Sequence, residues 1–149
     1  MRVALDTNIL VYAEGVNGAD MEVAATDLVE RLPDEATIVP AQALGELYNV
    51  LVRKAQRPPI MAHRALLAWR DTCVIAPTTE AAIVAAVALA TDHRLRIWDS
   101  VMLAVAAEND CRLLLSEDLQ DGFSWNGVTV ANPFAAHRHP LLGALLGAG

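Results

Sequence analysis

The stretch RVALDTN, residues 2–8, joins a short apolar run to three polar residues that favour turns and helix N-caps. We interpret it as a β-strand that ends at Asp6 and leads through a loop into a short helix over about 8–13. The same alternation recurs along the chain. It predicts strands over about 36–39, 74–75, 113–115 and 128–130, and further helices over about 20–32, 41–56, 60–71, 79–92 and 99–109.

This alternation of short apolar strands and helices predicts an α/β fold, with a mostly parallel central sheet flanked by helices. Asp20, Thr79 and Asp99 stand where N-caps of three of the helices are expected. With 149 residues, 54% of them hydrophobic, the chain can bury one sizeable core. We assign residues 1–136 to a single domain. Residues 137–149 form a short apolar tail that could be disordered, dock on the domain or cover a partner.

The net charge of −7 argues against uniform coating by nucleic acid, but the charge is unevenly distributed. Residues 53–96 hold seven Lys and Arg against three Asp and Glu, which is a local excess of four positive charges. Four of these basic residues are candidates for phosphate contacts: Arg53, Lys54, Arg57 and Arg64. Ordinary solvated helix faces are the alternative interpretation.

The sequence also bears on the location of the protein. Its longest apolar stretch, residues 81–90, is about half of the roughly 20 residues that a membrane-spanning helix needs. Met1 leads directly into the first strand without the features of a secretory signal, so we expect a cytoplasmic protein with no membrane partner. Cys73 and Cys111 lack the spacing of a zinc site and are expected to be small buried residues.

Several carboxylates stand at positions where chemistry is plausible. Asp6 and Asp118 each follow a predicted strand, and neighbouring parallel strands would bring them together, although either could simply cap a helix. Asp99 heads a very apolar helix, where a carboxylate needs a partner such as a cation. Helical spacing places Glu46 away from the apolar stripe of its helix. Glu46 is therefore solvated unless that helix borders a cleft.

Four segments, in this order, resemble the acidic motifs of PIN domains. They are the opening strand with DTN at 6–8, QALGELYNVL at 42–51, WDSVMLAVA at 98–106 and LLSEDLQDG at 114–122. The last one is similar to VapC-type toxins of bacterial toxin–antitoxin pairs. The resemblance extends over about residues 2–134, and the order of the four motifs makes it more specific than any single motif.

The resemblance implies a metal-dependent endoribonuclease that hydrolyses RNA phosphodiester bonds, is held inactive by a cognate antitoxin and forms a homodimer. Carried over by position, the catalytic and metal-binding pocket consists of Asp6, Glu46, Asp99 and Asp118. Asp121 is either a fifth carboxylate or a turn residue. Supporting or substrate-contacting groups are Thr7, Asn8 and Ser116. The basic candidates Arg53, Lys54, Arg57 and Arg64 would contact RNA.

The residue types also bear on the cofactor and on competing functions. Carboxylates without His or Cys indicate a hard cation, Mg²⁺ or Mn²⁺. A haloacid-dehalogenase-type phosphatase needs a second carboxylate where Asn8 stands, and a receiver module needs a strand-end lysine, whereas Lys54 lies in a predicted helix. A catalytically silent PIN-like binding module remains open. The tryptophans, including Trp98, could stack on bases, but core packing is expected.

Overall fold

The structure, a computed structural model, describes residues 1–147. A six-stranded sheet forms its centre. The strands are β1 (Arg2–Leu5), β2 (Thr37–Pro40), β3 (Val74–Ala76), β4 (Cys111–Leu115), β5 (Ser124–Trp125) and β6 (Val128–Ala131). Their order across the sheet is β3-β2-β1-β4-β6-β5, in which β5 is antiparallel to β6 and the other pairs are parallel. The predicted α/β class is confirmed.

Helices flank this sheet. They are α1 (Thr7–Ala13), α2 (Ala19–Arg31), α3 (Ala41–Asn49), α4 (Pro59–Thr72), α5 (Glu80–His93), α6 (Ile97–Glu108) and α7 (Pro140–Leu145). The strands β1 and β4 carry continuous apolar runs, 3–5 and 113–115, that are fully buried. Such runs are typical of strands covered on both faces. Helix α6 is almost as buried, since every residue from 100 to 106 lies in the interior.

Three predicted helix boundaries are wrong in detail. The helix predicted to start at Asp20 starts at Ala19 after Gly18, and the one predicted to start at Asp99 starts at Ile97 after Arg96. Both aspartates therefore lie in the first helical turn. Their negative charges interact favourably with the helix dipole there, but neither residue is the N-cap. The helix predicted over 41–56 ends as an α-helix at Asn49. A π-helical turn, Val50–Lys54, continues it.

The strand β5 is new relative to the prediction, and the tail follows one of the three alternatives left open. β5 was not predicted, because two residues carry too little pattern to reveal a strand. In the tail, α7 docks on the domain through Leu142, which is fully buried in the common core. Residues 148–149 of the predicted tail lie outside the described part. Cys73 and Cys111 are buried and free, as expected. None of the helices in residues 1–147 is long and apolar enough to span a membrane.

Candidate active site

The site starts where β1 and β4 end side by side. The parallel register pairs Leu5 with Leu115, so the residues that follow them, Asp6 and Ser116, also meet. The Asp6 backbone N–H donates to the Leu115 carbonyl at 3.0 Å. The Ser116 hydroxyl donates to Asp6 Oδ2 at 2.7 Å and accepts from the Asp118 backbone N–H at 3.1 Å. One serine therefore connects the two carboxylates that follow neighbouring strands.

Three carboxylates converge at this edge of the sheet. Asp6, Asp99 and Asp118 each present an oxygen within 4.8 Å of the other two, and we call them the aspartate triad. Asp6 also caps α1, because its Oδ1 accepts from the Thr7 backbone N–H at 2.7 Å. Burial decreases across the triad: Asp6 is buried, Asp99 is half-buried and Asp118 is exposed. The triad therefore opens towards solvent on the side of Asp118.

Burial and mutual repulsion perturb the triad electrostatically. Burial is the main cause that raises the pKa of Asp6 to about 6, and the charges of Asp99 and Asp118 act in the same direction. Hydrogen bonds from Ser116 and Thr7 oppose this shift. Burial likewise raises the pKa of Asp99, and the charges of Asp118 and Glu46 add to it. The site therefore holds more negative charge than its own donors compensate.

Arg96 is the nearest opposing charge to Asp99. Its Nε lies 3.8 Å from Asp99 Oδ2 and lowers the pKa of that carboxyl. The Arg96 side chain is 83% exposed, however, so solvent screens the pair. It does not neutralise the triad.

Glu46 lies beside the triad rather than within it. Its Oε2 accepts from the Thr7 hydroxyl, and its Oε1 accepts from Gln42 Nε2 at 2.8 Å. The glutamate is half-buried because α3 borders a cleft, which is the condition that the sequence left open. Its charge reaches Asp99, whose pKa it raises.

That cleft, which we call the acidic cleft, has a volume of about 390 Å³. Asn8 lines it, and the Asn8 Oδ1 and Nδ2 atoms are buried without a hydrogen-bond partner among the described residues. A buried unpaired amide is costly, so a water molecule or a polar ligand group is expected to bind here. Other residues that line the cleft are Thr7, Val11, Tyr12, Asn17, Glu46, Asn49, Val50, Lys54 and Asp118.

The donor set of the triad fits a divalent cation. All the candidate ligand atoms are carboxylate oxygens, which Mg²⁺ and Mn²⁺ prefer. Burial and the neighbouring carboxylates raise the pKa values of Asp6 and Asp99, and a cation would offset the repulsion among these charges. The unpaired Asn8 amide adds a polar contact at the same cleft.

The sequence matches a known family over most of its length. A family model described as PIN domain matches residues 3–123. The chain belongs to the PIN domain family. The four acidic motifs of the sequence lie within the matched region. No curated protein matches the sequence significantly.

Solved structures share this PIN fold. A toxin–antitoxin complex from Klebsiella pneumoniae is 22% identical with a TM-score of 0.68, over 89% of this chain and 98% of that chain. VapBC2 from Rickettsia felis, bound to a promoter DNA fragment, is 14% identical with a TM-score of 0.65, over 89% and 98%. VapC20 from Mycobacterium tuberculosis, described as a sarcin-ricin loop cleaving toxin, is 17% identical with a TM-score of 0.62, over 78% and 89%. At these identities the likeness concerns the fold.

Two of the predicted site residues have other partners in this PIN domain. The Asp121 Oδ1 accepts from the Asn132 backbone N–H at 2.9 Å, and Asp121 is exposed and outside the triad. Its geometry is that of a turn residue, the second of the two alternatives. The Arg57 guanidinium donates to Glu14 through Nη1 at 2.7 Å and to the Glu14 carbonyl through Nη2 at 2.9 Å. The Arg57 guanidinium is therefore paired within the fold.

Within residues 1–147, the other three basic candidates are not paired in this way, and they lie in different places. Lys54, in the π-helical turn, lines the acidic cleft. Arg53 and Arg64 are exposed, and Arg64 Nη1 lies 3.9 Å from Met61 Sδ. A π-turn is a frequent local feature of functional sites.

Tyr12, which lines the cleft, and its partner Glu117 were not among the predicted site residues. The Tyr12 hydroxyl donates to Glu117 Oε1, and this hydrogen bond is the main cause that raises the pKa of Tyr12 to about 12. Tyr12 follows Asn8 by four residues, so helical spacing places both on one face of α1. That spacing was the signal that could have revealed Tyr12. The partner Glu117 could not be found locally, because it comes from the loop after β4.

Proposed function

We propose that this PIN domain is a metal-dependent endoribonuclease that hydrolyses RNA phosphodiester bonds with Mg²⁺ or Mn²⁺, and that it is the VapC-type toxin of a type II toxin–antitoxin pair. The observation that carries the proposal is the aspartate triad, in which β1, α6 and the loop after β4 bring three carboxylates within 4.8 Å of each other. Family membership and the toxin–antitoxin complexes among the structural neighbours support the nuclease and toxin assignments.

The proposed mechanism assigns a task to each residue. Asp6, Asp99 and Asp118 would hold Mg²⁺ or Mn²⁺, which when bound supplies positive charge at the scissile phosphate and makes a water more acidic. Ser116 fixes the rotamer of Asp6 by the 2.7 Å bond to Oδ2. Glu46, held at both oxygens, orients the attacking water from the cleft wall.

The substrate side of the cleft is polar and basic. The unpaired Asn8 amide offers a donor and an acceptor to the sugar-phosphate chain. Lys54 lines the same cleft and compensates phosphate charge. Arg53 and Arg64, both exposed, extend the basic surface along which RNA would lie.

A cleavage assay tests this function. Purified protein is incubated with total RNA and with a sarcin–ricin loop hairpin, the target in the description of the Mycobacterium tuberculosis neighbour. We expect cleavage in Mg²⁺ or Mn²⁺ and none with a chelator. Asp99→Asn should reduce the rate at least about 100-fold, since it removes a ligand charge without changing volume. A catalytically silent module would cleave neither RNA in either metal at any protein concentration.

Asp110→Asn is the matched control for that assay. It makes the same chemical change in an exposed residue just before β4, at the opposite end of the strand from Ser116. Asp110 has a positive φ of 57°, which asparagine adopts readily. This variant should cleave at the wild-type rate. Loss of activity in both variants would mean that charge in general, and not the triad, controls cleavage.

The antitoxin is proposed to act at the same cleft. An Arg side chain from the partner would pair with the triad carboxylates in bidentate geometry and exclude the metal. Titration of Mn²⁺ into the free protein and into the complex tests this, because we expect a much weaker affinity in the complex. Equal affinities would rule out direct insertion, even if cleavage stayed inhibited.

The proposal includes a homodimer in the cytoplasm. On α5, Val84 and Val87 are 64% and 50% exposed, and a second copy would cover this apolar surface. Light scattering of the purified chain checks the oligomeric state, and Val84→Asp should shift it towards the monomer. The proposed cytoplasmic location is checked by fractionation of cells.

A further inference from the structure

A second cavity adjoins the acidic cleft and has no task in the function proposed so far. Its volume is about 430 Å³, and it shares Glu46 and Asn49 with the acidic cleft. The other residues that line it are Gln42, Gly45 and Trp98. It therefore lies between α3 and the first turn of α6, the turn that also carries Asp99. It is a shallow depression that is wide open to solvent.

Trp98 is the unusual wall of this cavity. It is 56% exposed, and it is not among the described side chains that pack against the core. The expectation that Trp98 packs in the core is wrong, because position 98 lies on the outer face of the first turn of α6 while residues 100–106 take the interior. An indole left in solvent next to a catalytic carboxylate has an open aromatic face.

The opposite side of the cavity is formed by an accessible stretch of the α3 backbone and by two side-chain amides. A Cβ built on Gly45 would meet no atom within 4 Å, so the α3 backbone is accessible there. Gln42 Nε2 donates to Glu46 at 2.8 Å, which leaves the Gln42 Oε1 free to accept from a ligand. Asn49 contributes a second side-chain amide, and it is exposed.

These groups suit a nucleobase better than an anion. Among the described residues that line the cavity there is no Lys or Arg, and Glu46 repels negative charge. Aromatic faces stack on bases, and amide side chains form hydrogen bonds with base edges. Because Glu46 and Asn49 belong to both cavities, a nucleotide with its phosphate in the acidic cleft can extend its base into the second one.

We propose that this second cavity is a base slot, in which Trp98 stacks on the base next to the scissile phosphate while Gln42 and Asn49 contact its edge. The inference rests on the proposed nuclease function and adds to it the residues that would hold the base beside the cut. A base in an A-form duplex is stacked and paired, so the slot requires an unpaired base at the cut site. The substrates are therefore single strands, loops or bulges of RNA.

The test measures RNA binding without cleavage, so that its readout does not depend on whether the protein cuts RNA. In an Asp6→Asn background with Mg²⁺, the probes are the single strands A₁₂ and U₁₂ and a 12-base-pair RNA duplex. We expect Trp98→Ala to weaken single-strand binding roughly 5- to 150-fold, the range measured for loss of one stacked base, and to leave duplex binding unchanged. Trp98→Phe keeps an aromatic face and should retain most of the affinity.

A second pair of variants leaves Trp98 in place. Gly45→Leu should fill the slot and weaken single-strand binding more than Gly45→Ala does, because the alanine adds only one methyl group in open space. Single-strand RNA should also quench tryptophan fluorescence in the parent and much less in Trp98→Phe. Circular dichroism confirms that each variant is folded.

The outcomes separate the two proposals. Unchanged single-strand affinity in Trp98→Ala or in Gly45→Leu would overturn the base slot, as would an equal loss of duplex binding. A change of oligomeric state in Trp98→Ala with unchanged RNA affinity would identify the surface as an interface between copies of the chain, and would also refute the slot. Trp98-dependent binding by a wild-type protein that cleaves no RNA would refute the nuclease function and leave the slot in place.

Discussion

Asp6→Asn is expected to stabilise the metal-free protein while it removes activity. Burial raises the pKa of Asp6 to about 6, compared with about 3.9 in an unfolded chain. A difference of about 2 pKa units corresponds to an unfavourable free energy of about 3 kcal/mol for the ionised form in the folded protein at pH 7. Asparagine carries no charge and keeps one carbonyl oxygen. Loss of one of the two hydrogen bonds at 2.7 Å offsets about 1–2 kcal/mol, so the net gain is about 1–2 kcal/mol.

The pH dependence of this effect has a defined sign. Because the folded pKa of Asp6 lies above the unfolded one, the folded protein binds more protons between pH about 4 and about 6. The contribution of this group to stability is therefore fully present below pH about 4 and is lost as the pH rises through about 6. Asp99 and Asp118 face Asp6 and add to the repulsion. The advantage of Asp6→Asn over wild type should disappear as the pH falls to about 4.

Urea unfolding in a chelator at pH 7 and at pH 4 measures both quantities. Addition of Mn²⁺ at 100 times its dissociation constant should stabilise the wild type by about 2.7 kcal/mol and reverse the order of the two proteins, since the variant lacks a ligand. Asp110→Asn serves as the control and should follow the wild type throughout. A variant that is less stable than wild type at pH 7 in the chelator, or that gains equally from Mn²⁺, would refute the reasoning.

Further predictions concern residues around the triad. Ser116→Ala removes the donor to Asp6 and should weaken Mn²⁺ binding about 10- to 100-fold in calorimetric titration, whereas unchanged affinity would deny the serine its positioning role. Replacing Arg53 and Lys54 together by Glu should reduce the slope of log affinity against log salt by about 1.4 for single-stranded RNA, and an unchanged slope would exclude them as phosphate contacts. Glu14→Ala removes the side-chain acceptor of both Arg57 and Trp69. Urea unfolding should therefore report a free energy of unfolding that is lower by about 1–3 kcal/mol. A free energy of unfolding equal to that of the wild type would show that these hydrogen bonds do not stabilise the fold.

The sequence predicted those parts of the site that depend on strand order. Asp6 and Asp118 follow apolar runs, and the register of parallel strands determines that their ends meet. The head of α6 was predicted two residues late, because an aspartate before an apolar helix has the pattern of an N-cap. Its first turn nevertheless brings Asp99 to the triad.

Local sequence patterns could not predict contacts between residues that are distant in the chain. Helical spacing assigned Glu46 to the polar face of α3, but it could not indicate what that face borders. Only the resemblance to PIN domains suggested a role for it. Arg57 belonged to a basic segment in the sequence, and its pairing with Glu14, 43 residues away, depends on tertiary structure. The exposure of Trp98 is likewise a consequence of how α6 packs.

Anomalous diffraction at the manganese absorption edge, from crystals grown with Mn²⁺, tests the central claim most directly. We expect a strong anomalous peak within about 2.0–2.3 Å of carboxylate oxygens of Asp6, Asp99 and Asp118. These are the distances typical of small divalent ions on oxygen ligands. Absence of a peak at the aspartate triad, in a preparation that cleaves RNA when Mn²⁺ is supplied, would contradict it.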